Sequence, residues 1–167
     1  VKAIDSAGGL RGTKRLLYEG GIRAAMAVRW PDHVPAGRKS TFVWDMRDIF
    51  PTLCELANAK NPENLDGISV VPTLMGKKQK SRDIHYWEIH SPFQQAVRSG
   101  VWKAIRFGTE EPLELYDLKN DPQETRNVAA DNPAVVQKLE TFLASARTDS
   151  PYFPAVQKKK RKKKKAL

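Results

Sequence analysis

The stretch IHYWEIHSPFQQAVRSGVWKAIRFGTEEPLELYDL, residues 84–118, decides the fold. It contains four short segments rich in β-branched and aromatic residues, which are typical of strands. Turn residues separate these segments, and Ser99 and Gly100 suit a tight hairpin between the second and the third. The four segments are residues 84–89, 95–98, 101–107 and 113–118. Together they predict an antiparallel sheet, with Trp87 and Trp102 in its core.

A helix is predicted downstream of the sheet. Asn132 can cap it, and Pro133 suits the first helical position. Apolar residues then recur at helical spacing, namely Val135, Leu139, Phe142, Leu143 and Ala146. This helix is expected to pack on the sheet.

Upstream of the sheet, the pattern predicts a strand, a loop and a helix. Residues 22–30 (IRAAMAVRW) place large apolar residues on one face and small alanines on the other, as in a strand covered on both sides. Pro31 ends this strand, and a surface turn follows. Asp48 is expected to cap an amphipathic helix that tolerates Pro51 in its first turn. Its shared apolar face consists of Ile49, Leu53 and Leu56.

Charge and cysteine content limit the possible classes of protein. The chain has 167 residues and a formal net charge of +10, but eight of its 29 Lys and Arg residues form the run Lys158–Lys165. The rest is therefore almost neutral, and the basic tail is expected to be disordered by self-repulsion. No window of about 20 apolar residues predicts a membrane span. The single cysteine, Cys54, excludes an internal disulfide framework and a multi-cysteine zinc site.

The densest chemical signal is GGLRGTKRLLYEGGIR, residues 8–23. Its glycines permit positive φ or close backbone approach, and its cations, including Arg11, Lys14 and Arg15, could meet an oxyanion. The residues alone leave two interpretations open, an anion site or a glycine-rich loop with solvated basic side chains. The spacing is not that of a phosphate-binding GxxxxGK[ST] loop.

Several ordered motifs resemble those of the sulfatase family. The run from Leu10 to Arg23 resembles L-R-G-x-K-x-x-x-Y-E-G-G-x-R, and RWPDHVPAG at 29–37 resembles R-W-P-G-x-I-P-A-G. Residues 48–57 and 65–76 are similar to D-x-x-P-T-L-x-x-L-A and L-D-G-x-S-x-x-P-x-L-x-G. Residues 86–90, 95–103 and 113–128 resemble the family's carboxy-terminal sheet. The resemblance covers about residues 8–147.

The resemblance implies the carboxy-terminal part of an alkaline-phosphatase-like α/β fold. Residues 1–76 would end the large domain, and residues 77–150 would form the smaller antiparallel sheet with its terminal helix. Residues 151–167 would be the disordered basic tail. Enzymes of this family use calcium and a formylglycine made from a C/S-x-P-x-R motif, which this sequence lacks. Cys54 lies in TLCEL on an apolar helix and is expected to be a structural thiol.

The resemblance transfers one catalytic position, Lys14, which would contact sulfate oxygens and offset charge developing toward the leaving group. His90, at a predicted strand end, is a second candidate substrate contact. His33 and His85 are expected to be surface or packing residues. Tyr18, Glu19 and Arg23 are expected to hold the turn together, and the spacing of Glu19 and Arg23 allows them to pair. No metal ligand is assigned, because Asp5 followed by Ser6 does not reproduce the family's Asp-Asn pair.

The leading hypothesis is the carboxy-terminal portion of a sulfatase that hydrolyses sulfate esters of a sulfated carbohydrate. The nucleophile and metal site are absent from this chain, so the chain alone is expected to be inactive. One alternative is a noncatalytic remnant that binds polyanions through Lys158–Lys165, without recognising specific bases. Another is a phosphatase or phosphotransferase of the same superfamily. Family resemblance suggests a periplasmic or secreted location.

Overall fold

The structure is a computed structural model that describes residues 7–155. Contacts divide the chain into two compact units. One unit comprises Ala25–Ser81, and the other joins the residues up to Ala24 with those from Arg82 onward. The domain boundaries expected for an intact sulfatase, near residues 76 and 150, stay predictions. The basic tail and Asp5 lie outside the described residues.

The larger unit contains a four-stranded antiparallel sheet in the order β1-β2-β3-β4. Ser99 pairs with Trp102, so the second hairpin turns through two residues, and Gly100 takes the positive φ of 60° that this tight connection requires. The predicted antiparallel sheet is therefore confirmed. The strands are β1 (Ile84–Ile89), β2 (Gln94–Ser99), β3 (Trp102–Arg106) and β4 (Glu114–Asp117).

The described residues form four α-helices and one short 3-10 helix, Met46–Asp48, that directly precedes the second of them. The predicted last helix is present, and Pro133 is its first residue. Asn132 stands at the N-cap position but does not cap through its side chain, because its Nδ2 donates to Val128 O over 2.9 Å. The α-helices are α1 (Glu19–Ile22), α2 (Ile49–Leu56), α3 (Val71–Leu74) and α4 (Pro133–Ala146).

The sheet is covered on both faces. On one face, Leu139 and Leu143 of α4 pack on the side chains of Val97, Ala104 and Leu115. Trp102 is half-buried beside this cluster.

The segment preceding Ala24 packs on the opposite face. Leu17 and Tyr18 form a second buried cluster with Ala96, Ile105 and Tyr116. Trp87 is half-buried beside it, so both predicted core tryptophans line cores without being fully enclosed. Strand alternation explains the two clusters, because successive side chains of one strand point to opposite faces.

The strand predicted at residues 22–30 is wrong. Ile22 ends α1, and residues 23–30 have no regular secondary structure. Met26 and Val28 are 58% and 40% exposed. A strand needs partners for its backbone groups, and within residues 7–155 the sheet formed by β1–β4 pairs with none of this segment.

Helix α2 is confirmed, but Asp48 has a different role from the predicted one. Its carboxylate accepts hydrogen bonds from the backbone N–H of Asp45 over 3.0 Å and of Ile68 over 2.8 Å. Asp48 thus ties the helix start to a loop twenty residues away, while Asp45 caps the preceding 3-10 helix. Pro51 is buried in the first turn, whereas Leu53 is 57% exposed and does not join a packed face.

Candidate functional site

Lys14 stands at the tip of a four-residue turn. The backbone N–H of Leu16 donates to Thr13 O over 3.0 Å and closes the turn. Arg15, the third turn residue, has a φ of 77°, a value that usually selects glycine or asparagine. The Lys14 side chain is exposed. The predicted sulfate-contacting lysine is therefore presented to solvent on a backbone that local preference alone does not favour.

Two glycines let the segment fold back beneath this turn. A Cβ on Gly21 would lie 2.0 Å from Leu16 O, and one on Gly20 would lie 2.6 Å from Arg11 O. The N–H of Gly20 donates to Arg11 O over 2.8 Å. The Tyr-Glu-Gly-Gly sequence is therefore a structural requirement, since side chains at either glycine would displace backbone rather than another flexible side chain.

Arg11 contacts strand β4 and the loop that follows it. Its Nη1 donates to Tyr116 OH over 2.9 Å and to Glu124 O over 2.8 Å. Its guanidinium also lies 4.0 Å from the centroid of the Tyr18 ring, within cation–π range. Of the cations that the sequence offered for an oxyanion, Arg11 thus has a structural role.

A buried ion cluster joins the segment to the sheet. Lys103 Nζ lies 2.8 Å from Glu19 Oε1 and 2.9 Å from Glu124 Oε1, and its side chain is fully buried. The backbone N–H of Glu19 donates to Glu124 Oε2 over 2.6 Å. Burial raises the pKa of Glu124, against the opposing effect of the Lys103 charge. The Glu19 carboxylate thus pairs with Lys103 rather than with Arg23, the partner that the sequence spacing allows, and Arg23 is exposed.

A second polar contact lies beside the same core. Tyr18 OH and Tyr116 OH both donate to Glu114 Oε2, over 2.6 Å and 2.7 Å. Burial, aided by these bonds, raises the pKa of Tyr116 to about 12 and raises that of Tyr18 as well. Both phenols are therefore neutral donors at physiological pH.

Gln94 connects the turn of Lys14 to the start of β2. Its Nε2 donates to Arg15 O over 3.0 Å, and its Oε1 accepts from the Leu17 N–H over 3.3 Å. Gln94 pairs with Ile89 across the sheet, and His90 follows Ile89 directly. The structure thus brings the backbone next to Lys14 to the end of the sheet at which His90 lies.

His90 is half-buried, and its ring meets Phe153 edge-on at 5.9 Å between centroids. Its Nδ1 is buried and has no hydrogen-bond partner among the described residues. A substrate contact at His90 stays a prediction.

The other two histidines have the packing and surface roles expected of them. His33 is exposed in a turn and stacks on Trp30, with ring centroids 4.2 Å apart. His85 is buried at the start of β1 and stacks on Trp87 at 5.7 Å.

Sequence reasoning did not identify Lys103, Glu124 or Gln94. The available signal was a lysine in the middle of a predicted strand flanked by apolar residues, which indicates either a solvated face or a buried ion pair. Lys103 and Glu19 are 84 residues apart in the sequence, and Gln94 is 77 residues from Leu17 and 79 from Arg15. Such distant pairings cannot be inferred from one sequence.

The described residues do not fit the calcium and formylglycine that the family resemblance implies. No group of three His, Cys, Asp or Glu side chains in residues 7–155 is arranged to hold a metal ion. Cys54 is a half-buried free thiol within α2 and lacks the flanking proline and arginine of the formylglycine motif. No catalytic step is therefore assigned to either group in this chain.

Comparison with known proteins decides the family. Residues 12–149 match the family described as N-sulphoglucosamine sulphohydrolase, C-terminal. The chain belongs to the sulfatase family. The match includes the turn of Lys14, all four strands and α4. The sulfatase motifs identified in the sequence and the alkaline-phosphatase-like fold assignment are thereby confirmed.

Individual sulfatases support this assignment. The chain is 31% identical to N-acetylgalactosamine-6-O-sulfatase of Bacteroides thetaiotaomicron over 83% of its own length and 30% of the relative's. It is 32% identical to human arylsulfatase A over 84% of its length and 34% of that enzyme. A structure solved in work on glycosaminoglycan metabolism by B. thetaiotaomicron superposes with a TM-score of 0.72 and 32% identity, covering 83% of this chain and 32% of that one.

This sulfatase chain spans about a third of the length of these relatives. Its described helices include none that is long and apolar enough to cross a membrane.

Proposed function

We propose that this chain is the carboxy-terminal portion of a sulfatase that hydrolyses sulfate esters of a carbohydrate, and that Lys14 contacts the sulfate group. The observation that carries the proposal is the exposed lysine at the tip of a fixed turn, inside the segment that matches the sulfatase family. The carbohydrate class is supported by the N-acetylgalactosamine-6-O-sulfatase and by the relative from glycosaminoglycan metabolism.

The chemistry proposed for Lys14 is electrostatic. Cleavage of a sulfate ester places negative charge on the ester oxygen as it leaves and on the sulfuryl oxygens. An ammonium group near these oxygens stabilises that charge, and a preorganised donor of this kind contributes roughly 100- to 1000-fold to turnover. Lysine suits the task because its charge is compact and its three donors can rotate to follow the oxygens.

The rest of the chain supports this side chain. The ion cluster, the Arg11 contacts and the two glycines hold the segment 8–24 on the sheet, so Lys14 projects from a braced loop. His90, at the same end of the sheet, is proposed to face the substrate. The nucleophile and the metal site of the active enzyme belong to sequence outside this chain, which alone is proposed to be inactive. A periplasmic or secreted location is proposed on the family resemblance.

The substrate class is tested with a full-length sulfatase that includes these residues. A panel of 6-O-sulfated and 2-O-sulfated sugars, a steryl sulfate and matched phosphate monoesters is assayed for release of sulfate or phosphate. Release of sulfate from a sugar is expected to exceed release of phosphate by at least 100-fold. Preferential release of phosphate would support the phosphatase alternative, and turnover of the steryl ester alone would overturn the carbohydrate assignment.

A second function is proposed for the basic tail. The family match ends at residue 149, before the eight contiguous cations Lys158–Lys165. Such a run attracts polyanions through counterion release. Deletion of residues 158–167 is expected to abolish retention on heparin at about 0.1 M salt and to leave turnover of a small sulfate ester unchanged. Undiminished retention would exclude the tail as the binding element.

A further inference from the structure

We propose that Gln94 is a positioning residue for Lys14, and that its carboxamide fixes the turn at residues 13–16. The inference rests on the proposed function, because it concerns how the sulfate-contacting lysine is held. Gln94 is fully buried, with both ends of its carboxamide bonded to the segment that carries Lys14. Nothing in the catalytic chemistry requires Gln94 to touch the substrate.

The bonding pattern selects this side chain. Arg15 offers a carbonyl acceptor and Leu17 offers an N–H donor, on the same side of the chain and next to Lys14. A carboxamide presents a donor and an acceptor on two neighbouring atoms without a charge, which matches this pair of backbone groups. An ionised glutamate would match Leu17 but would face Arg15 O without a proton. An apolar residue would leave the buried N–H of Leu17 without this acceptor.

The turn needs such support. Arg15 adopts a φ of 77°, in a region that non-glycine residues rarely occupy. Conformations of this kind persist where surrounding contacts over-determine them, and they concentrate at functional sites. The Gln94 Nε2 bond is made to the carbonyl of the strained residue itself. Without it, the turn is expected to relax toward other backbone conformations, and Lys14 at its tip would lose its direction.

The chain offers a matched control in the adjacent residue. Gln95 is also buried, at 2% exposed, but it points to the opposite face of the sheet. There it bonds Tyr86 OH over 2.7 Å and accepts from Arg106 Nε over 2.8 Å. Gln94→Met and Gln95→Met therefore remove the same groups from neighbouring buried positions, and only the first releases the Lys14 turn.

The first measurement is hydrogen exchange at the Leu17 amide, which does not depend on catalysis. Gln94→Met is expected to accelerate this exchange at least tenfold relative to the wild type, with less than a threefold change in Gln95→Met. Unchanged exchange in Gln94→Met would refute the role of Gln94 in fixing the turn.

The second measurement is turnover in a full-length sulfatase that includes these residues. Gln94→Met is expected to lower kcat about 10- to 100-fold, whereas Gln95→Met stays within threefold of the wild type. In a Lys14→Ala background, Gln94→Met is expected to lower kcat less than threefold further, because the group that it positions is gone. An undiminished effect of Gln94→Met in that background, or no effect in the wild type, would overturn the inference.

The two proposals fail in distinguishable ways. If Lys14→Ala leaves kcat unchanged, the proposed role of Lys14 is wrong, whatever the exchange at Leu17 shows. If Lys14→Ala is impaired and Gln94→Met is not, only the positioning role is wrong.

Gln94→Glu provides a second variant if Gln94→Met does not fold. Its protonated carboxyl regains a donor, so its kcat relative to the wild type is expected to rise at least threefold as the pH is lowered from 8 to 5. A flat ratio would count against the donor bond to Arg15 O.

Discussion

Replacement of Lys103 by methionine tests the ion cluster that joins the segment 8–24 to the sheet. Lys103 Nζ lies 2.8 Å and 2.9 Å from the carboxylates of Glu19 and Glu124. These two glutamates are 5% and 0% exposed, so water cannot solvate their carboxylates once the Lys103 charge is removed. Removal of one partner from a buried ion pair costs about 3–5 kcal/mol. Lys103→Met is therefore expected to lower the free energy of unfolding by that amount.

The assay is urea unfolding of the 167-residue chain at pH 7, followed by tryptophan fluorescence and circular dichroism. The matched control is Arg126→Ala, which breaks the ion pair with Asp131, whose side chains are 77% and 63% exposed. Exposed pairs contribute less than about 1 kcal/mol. The triple variant Lys103→Met with Glu19→Gln and Glu124→Gln is expected to recover part of the loss. If Lys103→Met lowers the free energy of unfolding no more than Arg126→Ala does, the stabilising role of the buried ion cluster is refuted.

Two further variants test the packing around the same segment. Gly21→Ala places a Cβ about 2 Å from Leu16 O and is expected to lower the free energy of unfolding by roughly 1–3 kcal/mol. The control is Gly100→Ala, where the Cβ meets open space and only the positive φ is unfavourable, and the expected loss is about 1 kcal/mol. Equal melting temperatures for these two variants would contradict the clash. Burial holds the pKa of Tyr116 at about 12, so this residue contributes stability that is complete below pH 10 and is lost as the pH rises toward 12. Tyr116→Phe is therefore expected to reduce the decrease in unfolding free energy between pH 10 and pH 12 by up to roughly 3 kcal/mol. Parallel curves of unfolding free energy against pH for the two proteins would contradict the raised pKa of Tyr116.

The sequence predicted the sheet well because its information is local. Side chains alternate along β1 to β4, and turn residues mark where each strand stops, so the predicted bounds lie within two residues of those observed. The terminal helix was predicted for the same reason, since its apolar spacing and Pro133 are local features.

The missed features depend on long-range pairing. The pattern at residues 22–30 suits a strand, but a strand forms only with partners, and the described residues provide none. In the same way, Glu19 is four residues from Arg23 yet binds Lys103, because folding carries the segment 8–24 onto the face of the sheet on which Lys103 lies. The Lys14 position came from family resemblance, whereas the ion cluster and the Gln94 bonds that hold its segment are visible only in the structure.

The most direct test of the central claim is kcat/KM for a sulfated sugar in a full-length sulfatase that includes these residues, with Lys14→Ala compared with Lys138→Ala. Lys138 is an exposed lysine of α4 and serves as the matched control. Lys14→Ala is expected to reduce kcat/KM about 100- to 1000-fold, as for loss of a preorganised donor to developing charge, while Lys138→Ala stays within twofold of the wild type. Equal kcat/KM values for the two variants would contradict the role of Lys14 in sulfate ester hydrolysis.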